Sequence, residues 1–369
     1  MRTLLILIGA AILTGACRQP VQSTPEIVLT TSDPAAEGMA PDRIDRISQM
    51  LNKAVSDGEI PGGVALIARN GKVVYHNAFG LSDTQGSLPF KKDAIFRIAS
   101  QTKAITATAI MLLWEEGRFR LDDPISEYIP EFENTGVLES FNEADSSFTV
   151  TPLENPITIR HLLTHTSGIG YGVIDQDPRF RMIYKKAGIT DLFTTEDIPI
   201  GASIRKLAGL PLHHVPGDKF TYSEGLDVLG YLIEVITGKP FDLFLKERLF
   251  DPLGMDDTWF YLPESKESRL VPVQHMRDGQ WEPYPITFYD PDYPVKGARR
   301  FFSGGAGLSS TAMDYAVFLQ MFLNNGEYNG TRVLSRTTVE TMMANQIGDL
   351  WAGGPKDYGL AFGMVNPDG

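Results

Sequence analysis

The sequence has a single cysteine among its 369 residues, Cys17, so the chain cannot form an intramolecular disulfide. A chain of this length can rely on the size of its hydrophobic core instead. It also lacks any excess of positive charge, since its formal net charge is −13. Binding to nucleic acid is dominated by lysine and arginine side chains that contact phosphates. We therefore expect no nucleic-acid partner.

The apolar run at the N-terminus is too short to span a bilayer. Met1-Arg2 precedes ten uncharged, mostly apolar residues, from Leu4 to Leu13, whereas a spanning helix needs roughly 20. A basic start, a short apolar core and small residues are typical of an export signal. The small residues directly before Cys17 resemble the lipobox of bacterial lipoproteins, which implies cleavage before Cys17 and acylation of its sulfur.

We therefore expect residues 1–16 to be a lipoprotein signal peptide. The mature protein would be exported and anchored to the membrane through Cys17, in the periplasm or at the cell surface. A plain secretory signal and a cytosolic protein are the alternatives. Residues 17–37 are rich in Pro, Ser and Thr without any period and are predicted to be a tether.

Hydrophobic periodicity predicts sheet elements at both ends of the chain around a helical middle. The strand-like runs "GGVALIARN" and "KVVYHNAFG" join at Asn70-Gly71, the strongest short signal for a β-hairpin. A helix is predicted from Pro41 to Ser56, and the run 358–365, "YGLAFGMV", is predicted to be a strand. Further helices are predicted at 100–117, 158–166, 196–208, 224–237 and 241–249, with loops at 130–156 and 262–300. We expect a sheet domain from 38–99 and 300–369, and a mainly helical lobe over 100–299.

Ser100 and Lys103 stand one helical turn apart at the start of the apolar run "IASQTKAITATAIMLLWEEGR". A serine hydroxyl is a weak nucleophile that needs a base, and a lysine can serve if its pKa is lowered. The structural alternative is an N-cap serine with a lysine whose ammonium reaches solvent. A second pair with the same spacing, Ser203 and Lys206, is predicted to lie on a solvated helix face.

The segment "FRIASQTKAITATAIMLLWEEGRFRLDDPISEYIPEF" resembles the first box of the penicillin-recognising serine hydrolases. That family comprises class C β-lactamases, D-alanyl-D-alanine peptidases and related esterases. The likeness continues in family order through "ITIRHLLTHTSGI", "PGDKFTYSEGLDVLGYLIEVITGKP" and "FFSGGAGLSSTAMDYAVFLQMFLNNG". It implies an α/β (α+β) fold with an antiparallel sheet flanked by helices plus a helical lobe. It also implies that Ser100 is the nucleophile and that the active site lies between the two parts.

The family's second box, Tyr-x-Asn, is Tyr222-Ser223-Glu224 here. The resemblance implies that Tyr222 shuttles protons together with Lys103; the alternative is a core tyrosine at a helix start. Glu224 departs from the asparagine, whose amide helps the β-lactamases hold the acylamino group of the substrate. We expect the Glu224 carboxylate to pair with Lys103 and raise its pKa, which favours an esterase-like hydrolase over an efficient β-lactamase.

The family's third box, Lys-Thr-Gly or His-x-Gly, would follow residues 358–365 and is not in the sequence. We expect the sequence to be incomplete at its C-terminus and to lack one amide of the oxyanion hole, a loss that typically costs about 10²–10³ in rate.

His161 and His165 are spaced like a metal pair, but Leu162 replaces the glutamate that a zincin motif needs. We therefore expect structural roles for both histidines.

These observations predict an exported, monomeric serine hydrolase that forms an acyl-enzyme on Ser100. It would need no metal or organic cofactor. Its substrate would be an ester, a β-lactam or a peptidoglycan peptide. The alternative is a non-catalytic, lipid-anchored protein that uses a degenerate cleft to bind peptidoglycan or a protein partner.

Overall fold

The computed structural model describes residues 28–350 and 357–364. The expected signal peptide, Cys17 and the first part of the expected tether lie outside the described residues. The α-helices are α1 (Pro41–Ser56), α2 (Thr102–Glu115), α3 (Ile159–Leu163), α4 (Pro178–Ala187), α5 (Ile200–Leu207), α6 (Gly225–Thr237), α7 (Phe241–Leu245), α8 (Asp251–Leu253), α9 (Glu264–Glu267), α10 (Ala312–Leu323) and α11 (Arg336–Met342). Within the described ranges, no helix has both the length and the apolarity that crossing a bilayer requires.

The strands form one mixed sheet and several two-stranded ribbons. The strands are β1 (Thr30–Thr31), β2 (Gly62–Arg69), β3 (Lys72–Asp83), β4 (Leu88–Pro89), β5 (Phe96–Arg97), β6 (Gly136–Asn142), β7 (Ser147–Pro152), β8 (Gln274–Arg277), β9 (Gln280–Pro283), β10 (Ser309–Ser310), β11 (Glu327–Tyr328) and β12 (Thr331–Arg332). In the main sheet, β3 pairs with β2 and β4 antiparallel and with β1 parallel. The combination of this sheet with packed helices gives the expected α/β architecture.

The hairpin predicted at Asn70-Gly71 is present. Both residues have positive φ, 53° and 72°, which matches a two-residue turn that follows the twist of its strands. The stretch expected to be a tether is not free chain where the structure describes it. β1 pairs with the start of β3, and Pro34–Glu37 form a 3₁₀ helix.

Helix α2 forms the centre of the core next to the site. Every residue from Thr102 to Leu113 is buried, as expected for a helix that is apolar all round its circumference. α2 contacts α6, whose Leu226, Val228, Leu229, Leu232 and Ile233 are also buried. The rigid packing of these two helices fixes the side chains at their N-terminal ends.

Three expectations about secondary structure are wrong. Residues 358–364 do not form an extended strand, because Ala361 has φ 64° and the chain turns back so that Tyr358 bridges Gly363. The predicted loop 130–156 contains the hairpin β6–β7. The predicted loop 262–300 contains α9 and the hairpin β8–β9, whose turn is Asp278-Gly279.

Candidate active site

Ser100 is held at the start of α2 by a strained backbone. It lies in a single 3₁₀ turn, Ala99–Gln101, and the preceding Ala99 has φ 44°, in the left-handed region that an alanine rarely adopts. The amide of Ile98 donates to the carbonyl of Leu308 at 2.9 Å, which ties this turn to the residue before β10. As a result the Ser100 side chain is exposed at the N-terminal end of a buried helix.

Lys103 lies directly behind Ser100 and is only 3% exposed. Its Nζ donates to the carbonyl of Gly305 at 2.8 Å and to Ser100 Oγ at 3.3 Å. Gly305 must be a glycine for this approach, because a Cβ there would lie 2.4 Å from Asp227 Oδ2. Lys103 Nζ is therefore aimed at the serine by a backbone acceptor rather than by an ion pair.

Tyr222 completes the group from the other side. Its Oη donates to Ser100 Oγ at 2.7 Å, and Lys103 Nζ lies 4.6 Å from the centre of its ring. The ring stacks on that of Tyr171 with centroids 5.6 Å apart and contacts the ring of His165 at 4.6 Å. The structure thus brings together the three side chains that the sequence singles out for catalysis.

Comparison with known proteins shows which family the chain matches. The chain matches the Beta-lactamase family over residues 44–369. It belongs to the beta-lactamase family. The esterase EstB of Burkholderia gladioli is 34% identical over 282 residues, which is 73% of this chain and 67% of EstB. A protein of Escherichia coli O157:H7 with the provisional name D-alanyl-D-alanine carboxypeptidase is 29% identical over 332 residues, which is 85% of this chain and 71% of that protein.

A solved structure in this family shows the same fold. EstCE1, described as a hydrolase with promiscuous acyltransferase activity, superposes with a TM-score of 0.72 at 26% identity, and the match covers 90% of this chain and 84% of EstCE1. The family therefore places this chain among hydrolases whose relatives carry esterase and carboxypeptidase names.

His165, which the sequence analysis assigns a structural role, lies beneath Tyr222. Burial, with a smaller contribution from the Lys103 cation, lowers the pKa of His165 well below its usual value. The imidazole is therefore neutral at neutral pH. The amide of Ser223 donates to Nδ1 at 3.1 Å, which places the ring proton on Nε2. His165 thus supports the aromatic ring of Tyr222 and fixes the chain next to it.

Asp227 is a buried acid near Lys103 that the sequence analysis did not single out. It accepts from Ser303 Oγ at 2.5 Å and from the amide of Gly305 at 3.2 Å. Burial raises its pKa, and the Ser303 hydrogen bond and the Lys103 cation oppose that rise. A lone carboxylate in the apolar run "GLDVLGYLI" is the sequence signal that could have identified it.

The expected ion pair between Glu224 and Lys103 is not formed, which corrects the sequence-based interpretation. Glu224 is the N-cap residue of α6 and is 2% exposed. Its carboxyl faces that of Asp191, which helps to raise its pKa after the larger effect of burial, while Lys103 bonds Gly305 and Ser100. The glutamate therefore does not compete with Ser100 for the lysine.

The second Ser-x-x-Lys pair is structural, although Ser203 is not on the solvated face expected of it. Ser203 is 5% exposed, and its Oγ accepts from the amide of Thr190 at 3.0 Å. Lys206 Nζ donates to the carbonyl of Gly188 at 3.3 Å instead of approaching Ser203. The identical spacing therefore builds no reactive pair here, because Lys206 bonds Gly188 and Ser203 bonds the backbone of Thr190.

His161 caps a helix. Its Nδ1 accepts from the amide of Thr158, whose side chain accepts in turn from the amide of His161. Across residues 28–350 and 357–364, no group of three or more His, Cys, Asp or Glu side chains has an arrangement that could hold a metal ion.

Proposed function

We propose that this protein is a serine hydrolase that acts on ester carbonyls through an acyl-enzyme on Ser100. The observation that carries the proposal is the convergence on one exposed hydroxyl of a buried amine at 3.3 Å and a phenol at 2.7 Å. This is the nucleophile and base arrangement that acyl transfer requires. The esterase names of EstB and EstCE1 support an ester as the substrate.

In the proposed reaction Lys103 reacts as an unprotonated amine. Ser100 Oγ bonds to the carbonyl carbon while its proton moves to Tyr222 Oη, and the phenol passes its own proton to Lys103 Nζ. The carbonyl oxygen takes the negative charge and is held in part by the Ser100 amide, one of the unpaired N–H groups at the start of a helix. Collapse breaks the bond to the leaving alkoxide, which receives the proton through Tyr222. Water then attacks the acyl-enzyme by the same steps in reverse order.

The absence of an amide at position 224 favours esters over β-lactams. In this chain a carboxyl occupies that place, and it is turned toward Asp191. Unlike an asparagine amide, this carboxyl has no N–H group that could donate a hydrogen bond to the acylamino carbonyl of a substrate at Ser100. An ester without an acylamino group would not form that hydrogen bond in any case, so its binding does not depend on an amide at position 224.

We also propose that the protein is exported and anchored through a lipid on Cys17, on the sequence grounds given above. Replacing Cys17→Ser in the full-length protein should move it from the membrane fraction to the soluble exported fraction. A C17S protein that stays with the membrane would contradict the anchor.

The activity is tested with purified protein, p-nitrophenyl acetate, the cephalosporin nitrocefin and a peptide that ends in D-Ala-D-Ala. Ser100→Ala should lower ester turnover by at least about 10³-fold, since the nucleophile is removed. Ser48→Ala is the matched control: this serine bonds Tyr75 Oη at 2.9 Å on α1, outside the site, and its loss should leave turnover unchanged.

Each substrate gives a decisive result. Ester turnover that exceeds turnover of both amide substrates and is lost in S100A supports the proposal. Faster nitrocefin or peptide hydrolysis would overturn the ester preference while retaining Ser100 as nucleophile. Equal turnover by the wild type and S100A would overturn the catalytic role.

A further inference from the structure

Glu224 and Asp191 form a buried pair of acids behind the site. Glu224 is 2% exposed at the N-terminus of α6, and its amide donates to the carbonyl of Gly170 at 3.1 Å. Its carboxyl lies within hydrogen-bonding reach of the carboxyl of Asp191, and its Oε1 atom is buried without a hydrogen-bond partner among the described residues. Two ionised carboxylates are acceptors only, so a hydrogen bond between them requires that one proton be retained.

Asp191 uses its remaining capacity on the backbone of a neighbouring segment. Its Oδ1 accepts from the amide of Gly172 and its Oδ2 from the amide of Val173, both at 2.9 Å. These two bonds hold the segment Tyr171–Val173. The first residue of that segment is the tyrosine whose ring stacks on Tyr222.

The groups around Glu224 keep its proton in place. Burial raises the pKa of Glu224 well above its usual value, the acids Asp191 and Asp227 raise it further, and the amide of Gly172 opposes them. The phenols of Tyr171 and Tyr184 also face it, and its charge would raise their pKa values in turn. The Lys103 cation lowers the pKa of Asp227, against the larger effect of burial.

We propose that Glu224 is a positioning residue that works as a neutral acid: it shares its proton with Asp191 and so holds Tyr171 against Tyr222. The chain of contacts runs from Glu224 through Asp191 and the Gly172 and Val173 amides to Tyr171, and from there to the phenol that bonds Ser100. Loss of the shared proton would place two like charges against each other and loosen the segment. The kinetic consequence depends on the proposed esterase function, whereas the protonation state does not.

Glu224→Gln tests this directly, because its amide can still donate to Asp191 but has no proton to lose. We expect E224Q to retain ester turnover within about threefold at neutral pH, and Glu224→Ala to lose up to about 10²-fold, the size of effect that misplacement of a reacting group produces. We expect the alkaline limb of kcat/KM against pH to shift upward by about one pH unit or more in E224Q. Glu234→Gln is the matched control, since Glu234 is a partly buried acid on the same helix that bonds the amide of Phe241.

Infrared difference spectra give a readout that needs no activity. Subtracting E224Q from the wild type at neutral pH should leave the C=O band of a protonated carboxyl. A difference spectrum with carboxylate bands instead would overturn the proposal whether or not the protein is an esterase. Two results would overturn the positioning role. One is an E224Q protein as inactive as E224A, and the other is an E224Q protein whose kcat/KM depends on pH in the same way as that of the wild type and E234Q. Absence of wild-type ester turnover together with the acid band would refute only the esterase function.

Discussion

Tyr222 shows how a single side chain connects the core to the chemistry. One end of it, the Oη atom, is 2.7 Å from Ser100 Oγ, while its ring lies between those of His165 and Tyr171. The ring contacts contribute to packing, and the proposed mechanism assigns the hydroxyl to proton transfer. These two contributions can be separated by removing the oxygen alone.

Tyr222→Phe should lower kcat for ester hydrolysis by about 10²–10⁴-fold, the usual contribution of a positioned acid–base group, while leaving the unfolding temperature close to that of the wild type. Tyr75→Phe is the control, because it removes a hydroxyl that bonds Ser48 away from the site. Steady-state kinetics and thermal unfolding measure the two effects. Equal activity of Y222F and Y75F would show that the Tyr222 oxygen takes no part in the reaction.

The sequence was sufficient to predict Ser100, Lys103 and Tyr222 as a group, because each matches a fixed position in a family box. The sequence could not predict which group the Glu224 carboxyl contacts. A carboxyl at that position can pair with Lys103 or with another acid, and the choice depends on Asp191, which is 33 positions earlier in the chain. No local pattern encodes that contact.

At the scale of elements, the turn before α2 stores strain at the site. Ala99 adopts φ 44°, a conformation that costs an L-residue roughly 1–2 kcal/mol. The packing of α2 on one side and the bond from Ile98 to Leu308 on the other impose it. Strained residues of this kind cluster at active sites, where the surrounding structure holds them in place.

Ala99→Gly should therefore raise the free energy of unfolding by about 0.5–1 kcal/mol, because glycine adopts this φ without the steric cost and only part of the gain is offset by its freedom in the unfolded chain. Ala109→Gly, in the buried interior of α2, should lower that free energy by about 1 kcal/mol or more. Chemical denaturation measures both. A lower stability of A99G would mean that Ala99 is not strained.

Elements with a strong local signal were predicted correctly, and those set by distant contacts were not. The Asn70-Gly71 hairpin needs only its own turn residues. The run 358–364 alternates like a strand, yet the amide of Leu360 bonds the carbonyl of Met342 and the amide of Ala361 bonds that of Leu163. These two partners from different helices hold the chain in a turn. The hairpin at Asp278-Gly279 had a recognisable turn signal that its Pro-rich surroundings obscured.

At the scale of the whole molecule, the buried acids couple stability to pH. The raised pKa of Glu224 means that the folded chain keeps a proton which the unfolded chain releases once the pH passes about 4.3. Stability from this group is present below that pH and falls as the pH rises toward the folded-state pKa.

E224Q should consequently gain stability relative to the wild type as the pH rises from about 4 to about 8, since glutamine has no proton to release. Thermal unfolding of both proteins across this range measures the difference in Tm. A difference that stays constant with pH would show that Glu224 has the same protonation in the folded and unfolded chains.

The most direct test of the account is to trap the acyl group. Wild-type protein is mixed with p-nitrophenyl acetate, quenched in acid and digested, and the peptides that contain Ser100 and Ser203 are examined by mass spectrometry. We predict an acetyl adduct on Ser100, none on Ser203, and no adduct at either position in S100A. An unlabelled Ser100 in folded protein that still releases p-nitrophenol would contradict the account.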